Sequence, residues 1–356
     1  MHEGSGRGKR REGQGRADGP RRAGTPLHGG NHARLRRADV VDLRHPGLVH
    51  RRLSIRHHLP RDPVKHLAAY LALRLGVGLV GALPASWARR LGEVGGLVWH
   101  RFATGRRLMA QRHMRRVLGP DADDEEAARS VMKSYGRYWA EALWARARRV
   151  PEMMARTTVD GLDKIESARD AGKGMIYDLP HMGNWEAAAP IAVNIGVPVV
   201  AVAEKLANER ITDWFTEMRA EFGIEIVLAT GSATVMRALE AGIAANKAIA
   251  LLSDRDLKRR GVEVEFFGER TTMPPGPATL ALRTGAPLFP VGCYFSDGGH
   301  HVVVGDPIAV PEGGSRSEKV QLMTQELAGR LEQIIRAQPR QWHLVQPNWP
   351  SDREYE

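Results

Sequence analysis

The sequence contains a single cysteine, Cys293, among 356 residues. One cysteine excludes an intramolecular disulfide and also a zinc site built from several thiolates. A protein without disulfides is expected in a reducing compartment, which favours the cytoplasmic side of a membrane. The chain also lacks a G-x-S-x-G nucleophile elbow, so chemistry through a covalent acyl-serine is not expected.

Long hydrophobic runs are scarce as well. The most apolar early stretch, residues 67–83, has 17 residues and contains Arg74, whereas a helix needs about 20 mainly apolar residues to span a bilayer. It lies too deep for a signal peptide, and no small-residue cleavage pattern follows it. We therefore expect no transmembrane helix, although 42% hydrophobic residues are enough to bury a sizeable core.

Positive charge is concentrated at one end of the chain. Residues 1–62 hold 15 Lys and Arg against 6 Asp and Glu, and the remaining 294 residues hold 37 against 35. A basic nucleic-acid-binding surface is thus not expected on the folded part. Residues 1–60 are rich in Gly, Arg and His without strand or helix periodicity, which predicts disorder. Two hypotheses stay open: translation begins near Val64, or a basic tail attracts an anionic membrane.

Residues 64–118 carry apolar side chains at helical spacing, which predicts two or three helices. Between positions 89 and 116, eight arginines face one acid, Glu93. A helical pair that is apolar on one side and cationic on the other is typical of an interfacial membrane-binding element. An ordinary amphipathic helix with a solvated face explains the same pattern. An acidic segment, residues 121–126, is expected to start the next helix.

From Met175 onward, short apolar runs alternate with helical segments. This alternation predicts an α/β fold with a mostly parallel sheet flanked by helices, within one domain spanning residues 64–350. The strands are expected at residues 175–179, 197–202, 225–228, 248–252, 288–295 and 301–304.

A candidate catalytic motif follows the first of these strands: Pro180, then His181-Met-Gly-Asn-Trp-Glu186. A histidine at the carboxyl end of a strand, before a helix expected near Trp185, sits where open α/β sheets bind ligands. Gly183 permits close backbone approach, and the Asn184 amide and free helix N–H groups are candidate donors to an oxyanion. The alternative is a histidine that only caps the helix.

The spacing of the motif bears on how its acid is used. Residues five apart on a helix point about 140° away from each other, so Glu186 reaches the imidazole only if His181 lies in a preceding turn. If Glu186 instead fixes that turn, another carboxylate must orient the imidazole. Asp254 is our candidate, and Glu263 or Glu265 could replace it.

Asp254-Arg255-Asp256 follows the strand at residues 248–252 and brings two carboxylates and a guanidinium to the rim where His181 lies. Turn residues that satisfy local backbone groups would give the same pattern. Further along, Pro-Pro-Gly-Pro-Ala precedes a helix predicted over residues 278–284, and Leu-Arg283-Thr-Gly-Ala-Pro leads into the next strand.

Together, His181-x4-Glu186, Asp254-Arg-Asp-Leu with Gly-Val-Glu-Val-Glu-Phe-Phe-Gly, and the two proline motifs resemble the bacterial lipid A biosynthesis acyltransferase family of the lysophospholipid acyltransferase superfamily. The resemblance is closest to actinobacterial phosphatidylinositol mannoside acyltransferases and covers residues 64–350, including Gln341-Trp-His and Asn348-Trp-Pro.

The resemblance implies transfer of an acyl chain, expected to be palmitoyl, from acyl-coenzyme A to a mannose hydroxyl of phosphatidylinositol mannoside. It also implies a peripheral enzyme on the cytoplasmic face of the plasma membrane, without a metal or a cofactor beyond the co-substrate acyl-coenzyme A. The alternatives are an acyltransferase for a lysophospholipid or another glycolipid, and a non-catalytic lipid-binding module.

The resemblance assigns catalysis to His181 and Glu186, with a further carboxylate in residues 254–265, and His181 is expected to act as a general base. The candidate substrate-binding residues are Gly183, Asn184, Glu204, Lys205, Arg219, Arg255, Asp256, Glu263 and Arg283.

Overall fold

A computed structural model describes residues 33–34 and 63–355, except 230 and 257, with side chains from residue 64 to 352. The predicted basic tail and the alternative start concern residues that lie outside this part, apart from the two-residue strand β1 (Ala33–Arg34).

Four helices open the described chain: α1 (Pro63–Ala82), α2 (Ala85–Phe102), α3 (Thr104–Leu118) and α4 (Asp124–Trp144). Three helices before residue 119 agree with the prediction. The acidic start of α4 is capped by Asp123, whose side chain accepts from the Glu126 N–H at 3.0 Å. Helices α2 and α4 approach closely because glycines meet there, and a Cβ on Gly136 would lie 2.1 Å from the Gly92 carbonyl oxygen.

Helix α1 is longer than the apolar stretch on which we based our expectation about membrane spans. It has 20 residues, and by length and composition alone its segment Val64–Ala82 is long and apolar enough to cross a membrane, with very little of it buried. The apolar stretch counted from the sequence was too short because the helix also takes in residues 63–66. At 1.5 Å per residue, a 20-residue helix is about 30 Å long, which matches the hydrocarbon core of a bilayer.

The central sheet has eight strands in the order β1-β2-β10-β9-β3-β6-β4-β5, and β7 and β8 form a separate hairpin. Strands β9, β3, β6, β4 and β5 run parallel, whereas β10 is antiparallel to β9. The predicted α/β fold with a mostly parallel sheet is thus confirmed. The strands are β2 (Thr157–Asp160), β3 (Met175–Leu179), β4 (Val199–Ala203), β5 (Ile224–Leu228), β6 (Ala248–Leu252), β7 (Val262–Phe266), β8 (Glu269–Met273), β9 (Leu288–Ser296) and β10 (Gly299–Val304).

The remaining helices cover the two faces of the sheet, as the two core clusters indicate. Ile176 belongs to one hydrophobic cluster, while its neighbours Met175 and Tyr177 belong to the other, because successive side chains of a strand point to opposite faces. These helices are α5 (Val150–Met154), α6 (Leu162–Asp170), α7 (Ala189–Asn194), α8 (Glu209–Ala220), α9 (Ser232–Ala244), α10 (Gly276–Thr284) and α11 (Arg316–Ala337).

Strand register decides where the site forms. Strands β3 and β6 are neighbours, and Leu179 pairs with Leu252 at their carboxyl ends. The segments that follow these two residues therefore leave the sheet side by side. One carries His181 and the other carries Asp254.

Candidate active site

The His181 turn is shaped by Gly183. This residue has φ +55°, and a Cβ built there would lie 1.9 Å from the Cys293 carbonyl oxygen of β9. Any side chain would collide with the sheet, so the turn requires glycine for both its conformation and its close approach. His181 consequently lies in a turn ahead of the helix, which itself starts only at Ala189, later than predicted. Residues Trp185–Ala187 between them form a 3₁₀ turn.

His181 and Asp254 form a hydrogen-bonded pair. The imidazole Nδ1 lies 2.5 Å from Asp254 Oδ1, and the His181 backbone N–H donates to Oδ2 at 3.0 Å. Burial by itself would raise the pKa of the fully buried Asp254, but the charge of His181 and the N–H groups bonded to the carboxylate outweigh it, so the pKa is lowered. Asp254 is thus an ionised partner that fixes the imidazole and leaves Nε2 for a reacting group.

Glu186 pairs with a different residue. Its carboxylate accepts from Arg219 of α8, with Nη2 at 2.5 Å from Oε1 and Nε at 3.1 and 3.2 Å from the two oxygens. Glu186 is buried, and burial alone would lower the pKa of Arg219, yet the carboxylate raises it. The motif acid therefore ties the His181 turn to α8, whereas Asp254 holds the imidazole.

The proposed oxyanion donors are already bonded within the protein. The Gly183 N–H donates to the Gln341 carbonyl at 2.9 Å, and the buried Asn184 amide donates to Glu141 Oε2 at 2.8 Å. The structure therefore does not support the role in oxyanion binding that we gave to the Asn184 amide, since a tertiary contact uses it.

Glu141 of α4 holds the Asn184 amide of the catalytic motif, and the sequence did not reveal this role. It is buried, and it also accepts from His300 Nε2 at 2.7 Å and Arg137 Nε at 2.9 Å. Burial alone would raise the pKa of Glu141, but these partners and Asn184 lower it to about 2. The only sequence signal was an acid within the aromatic segment of residues 135–144, and that signal does not identify Asn184 and His300, the partners on two other segments.

An open cleft of about 800 Å³ lies in front of His181. Of the predicted substrate-binding residues, Glu204, Arg219, Arg255 and Asp256 line it. Asp256 also holds the turn before β7, because it accepts from the Gly261 N–H at 2.6 Å. Aromatic side chains cover much of the remaining wall: Tyr135, Tyr138, Trp139, Trp185 and Phe215.

Three predicted substrate-binding residues lie elsewhere, each exposed and in an ion pair. Lys205 pairs with Glu209 at 2.7 Å, Glu263 of the β7–β8 hairpin pairs with Arg270 at 3.3 Å, and Arg283 pairs with Glu240. Glu265 is also exposed on that hairpin. These four residues are not part of the cleft lining. Sequence alternation placed the two acids on one side of β7, but that side faces solvent.

A second, apolar cavity of about 90 Å³ adjoins the cleft, and Trp185, Val202, Arg219 and Leu252 line both. Compared with the volume that one water molecule needs, the volume of this cavity is enough for roughly six groups of the size of a water molecule or a methylene. Its far wall comes from β2, α6 and β10, whereas Glu186 and Arg219 border its polar end. The residues of the far wall are Val159, Ile165, Val302 and Val304.

Residues 61–351 match the family described as bacterial lipid A biosynthesis acyltransferase. Because the match covers most of the chain, the protein belongs to this family, and it is an acyltransferase.

Among known proteins, the chain is similar to the phosphatidylinositol mannoside acyltransferase of Mycolicibacterium smegmatis, with 37% identity over 295 residues that cover 82% of this chain and 95% of the relative. It is also similar to the phosphatidylinositol mannoside acyltransferases of two Mycobacterium tuberculosis strains. For strain CDC 1551 / Oshkosh the identity is 36% over 307 residues, and for strain H37Rv it is 35% over 303 residues, covering in each case 83% of this chain and 93% of the relative.

Proposed function

We propose that this protein transfers a fatty acyl chain from acyl-coenzyme A to a mannose hydroxyl of a phosphatidylinositol mannoside. The observation that carries the proposal is the His181–Asp254 pair, which lies on a wide polar and aromatic cleft adjoining an apolar cavity. This combination supports a base that borders a site suited to a head group, with a site suited to a hydrocarbon chain adjoining it. The proposed acceptor is the glycolipid after which the similar enzymes of Mycolicibacterium smegmatis and Mycobacterium tuberculosis are named.

In the proposed reaction, Nε2 of neutral His181 removes the proton from the acceptor hydroxyl. The oxygen attacks the thioester carbonyl, a C–O bond forms, and the C–S bond breaks as the tetrahedral intermediate collapses. The proton on Nε2 then passes to the departing coenzyme A sulfur, so the base is restored. Asp254 stabilises the imidazolium that exists between these steps, because its carboxylate is buried and already bonded to Nδ1.

The two cavities suit the two parts of the reaction. The apolar cavity would take part of the acyl chain, since its lining is mainly aliphatic, and palmitoyl is the chain that we propose. The cleft would take the head groups, because sugar rings pack on aromatic side chains while cations such as Arg255 and Lys258 attract phosphates. The acyl donor is the co-substrate, and the proposal requires no metal and no other cofactor.

A membrane surface is the proposed location. Apolar side chains of α1 and α2 are exposed where a soluble protein would bury them: Leu75 is 64% exposed, Trp87 63% and Phe102 77%. Exposed arginines accompany them, including Arg90 and Arg101. This combination suits the boundary between head groups and acyl chains of an anionic membrane, and the lone buried cysteine favours its cytoplasmic face.

The test uses purified full-length protein, radiolabelled palmitoyl-coenzyme A and phosphatidylinositol mannoside in detergent. We expect labelled glycolipid and one free coenzyme A per acyl group transferred, and no transfer by His181→Ala. Thermal unfolding of that variant should remain cooperative, because His181 borders the cleft rather than the core.

The competing acceptors are tested in the same assay. Faster transfer to a lysophospholipid or an unrelated glycolipid would overturn the proposed acceptor while keeping the acyltransferase chemistry. Near wild-type transfer by His181→Ala would overturn the proposed base.

A further inference from the structure

The segment that follows α11 passes across the His181 turn. Trp342 forms an isolated β-bridge with Met182, and Gln341 accepts from the Gly183 N–H at 2.9 Å. The His343 N–H donates to the His181 carbonyl at 2.7 Å. A segment about 160 residues later in the chain therefore holds the backbone of the catalytic turn from His181 to Gly183.

The same segment contacts the carboxylate that orients the imidazole. The indole N–H of Trp342 donates to Asp254 Oδ2 at 2.8 Å, and both side chains are completely buried. Asp254 thus accepts a hydrogen bond from His181 Nδ1 on Oδ1, and hydrogen bonds from the Trp342 indole N–H and the His181 backbone N–H on Oδ2. Hydrogen bonds to a buried charged group are strong because the surrounding dielectric is low.

We propose that Trp342 is a positioning residue for acyl transfer, acting through Asp254 by fixing the carboxylate plane so that Oδ1 meets His181 Nδ1. This inference rests on the proposed function of His181 as the base. Without the indole donor, the backbone N–H of His181 alone holds Oδ2, and the carboxylate is held less firmly against rotation about its Cβ–Cγ bond. The residue specifies the geometry of the pair without touching a substrate.

Packing alone does not explain why the indole N–H of Trp342 points at Asp254. A neighbouring tryptophan, Trp349, provides a matched comparison. Trp349, seven residues later, is also buried, and its ring centroid lies 6.3 Å from that of Trp342. Its indole donates to the Phe266 carbonyl at 3.1 Å instead of to Asp254. Trp349→Phe therefore removes the same ring and the same kind of donor from the same cluster while sparing the catalytic carboxylate.

The experiment compares Trp342→Phe with Trp349→Phe in the full-length protein by kcat, KM and pH profile. Trp342→Phe should lower kcat about 10- to 100-fold with KM changed less than about threefold, as expected for loss of one hydrogen bond to a charged group. The acidic limb of its pH–rate profile should move to higher pH, because losing a hydrogen-bond donor to the Asp254 carboxylate raises the proton affinity of the His181–Asp254 pair. Asp178 and His343, the other titratable groups that interact with Asp254, are unchanged in both variants.

Trp349→Phe should keep both kcat and the acidic limb within about twofold and about 0.2 pH units of wild type. Equal kcat losses and unshifted limbs in the two variants would overturn the positioning role, because cluster packing would then explain both. If Trp342→Phe does not fold, a benzothienylalanine at position 342 keeps the ring shape and replaces N–H by sulfur, and the same outcomes apply.

The two proposals fail in different ways. An active His181→Ala overturns the proposed base, whatever Trp342 does. An inactive His181→Ala combined with a wild-type kcat and pH profile in Trp342→Phe overturns only the positioning role.

Discussion

Asp254 binds His181 twice, through the imidazole Nδ1 at 2.5 Å and through the backbone N–H at 3.0 Å. The first contact selects the tautomer with its proton on Nδ1, and the second fixes the turn on which the ring is carried. Asp254 lies in the segment that follows β6, beside the end of β3. This double contact therefore follows from strand pairing and not from nearness in sequence.

Asp254→Asn should lower kcat about 10³-fold or more, because an amide presents an N–H to the ring and favours the wrong tautomer. The measurement is the initial rate of coenzyme A release under saturating substrates. Asp306→Asn serves as the control, since Asp306 is exposed and pairs with Lys164 on the surface. A rate for Asp254→Asn within tenfold of wild type would contradict the orienting role.

Glu186→Gln should destabilise the fold by about 3 kcal/mol, because it leaves the Arg219 guanidinium half-buried without its carboxylate. Denaturant unfolding measures this loss. Replacing Glu186 and Arg219 together by methionine should recover most of it, since no unpaired charge then remains. If the double variant is less stable than Glu186→Gln, the ion pair is not what stabilises this region.

Val304→Phe should shift the donor preference toward shorter acyl chains, because the larger ring fills the far wall of the apolar cavity. The ratio of kcat/KM for palmitoyl- over lauroyl-coenzyme A should fall about tenfold or more, given roughly 1 kcal/mol per excluded methylene. Val310→Phe is the matched control, since Val310 is 52% exposed. If this kcat/KM ratio is unchanged in Val304→Phe, the acyl chain does not bind in the apolar cavity.

Asp178→Asn should make stability less sensitive to pH above about 4. Burial raises the pKa of Asp178, with the charge of Asp254 adding to the effect and hydrogen bonds from Ser253 opposing it. Above the ordinary pKa the unfolded chain releases this proton while the native state keeps it, so the free energy of unfolding falls as pH rises. The Tm gain of the variant should therefore be larger at pH 8 than at pH 5, and equal Tm changes at both values would argue against a protonated Asp178.

His113 should make the protein less stable in mild acid. Burial lowers its pKa to about 4, so between pH 6.5 and 4 the unfolded chain binds a proton that the native state excludes. The free energy of unfolding should fall over that window by about 3 kcal/mol from this residue. His113→Gln, which cannot titrate, should show a correspondingly flatter slope from pH 7 to 4, and a slope equal to that of wild type would contradict the prediction.

Local pattern predicted much of the fold. The strands at residues 175–179 and 248–252 were placed at their observed bounds, since each is a short apolar run with turn residues after it. Strand β2 was not predicted because Thr157–Asp160 is a four-residue segment without an apolar run. Helix α7 was predicted too early because a 3₁₀ turn occupies residues 185–187, where tertiary contacts of Glu186 and Asn184 constrain the backbone.

The sequence by itself determined that His181 follows a strand, that Gly183 makes its turn tight, and that five-residue spacing directs Glu186 away from a ring on the same helix. Periodicity and local geometry decide these features, so they are readable from neighbouring residues. Only the tertiary structure decided that Asp254 meets the imidazole, that Arg219 takes Glu186, and that Trp342 reaches Asp254. Those contacts join residues 33 to 88 positions apart, and strand order and chain crossover bring them together, which no local pattern encodes.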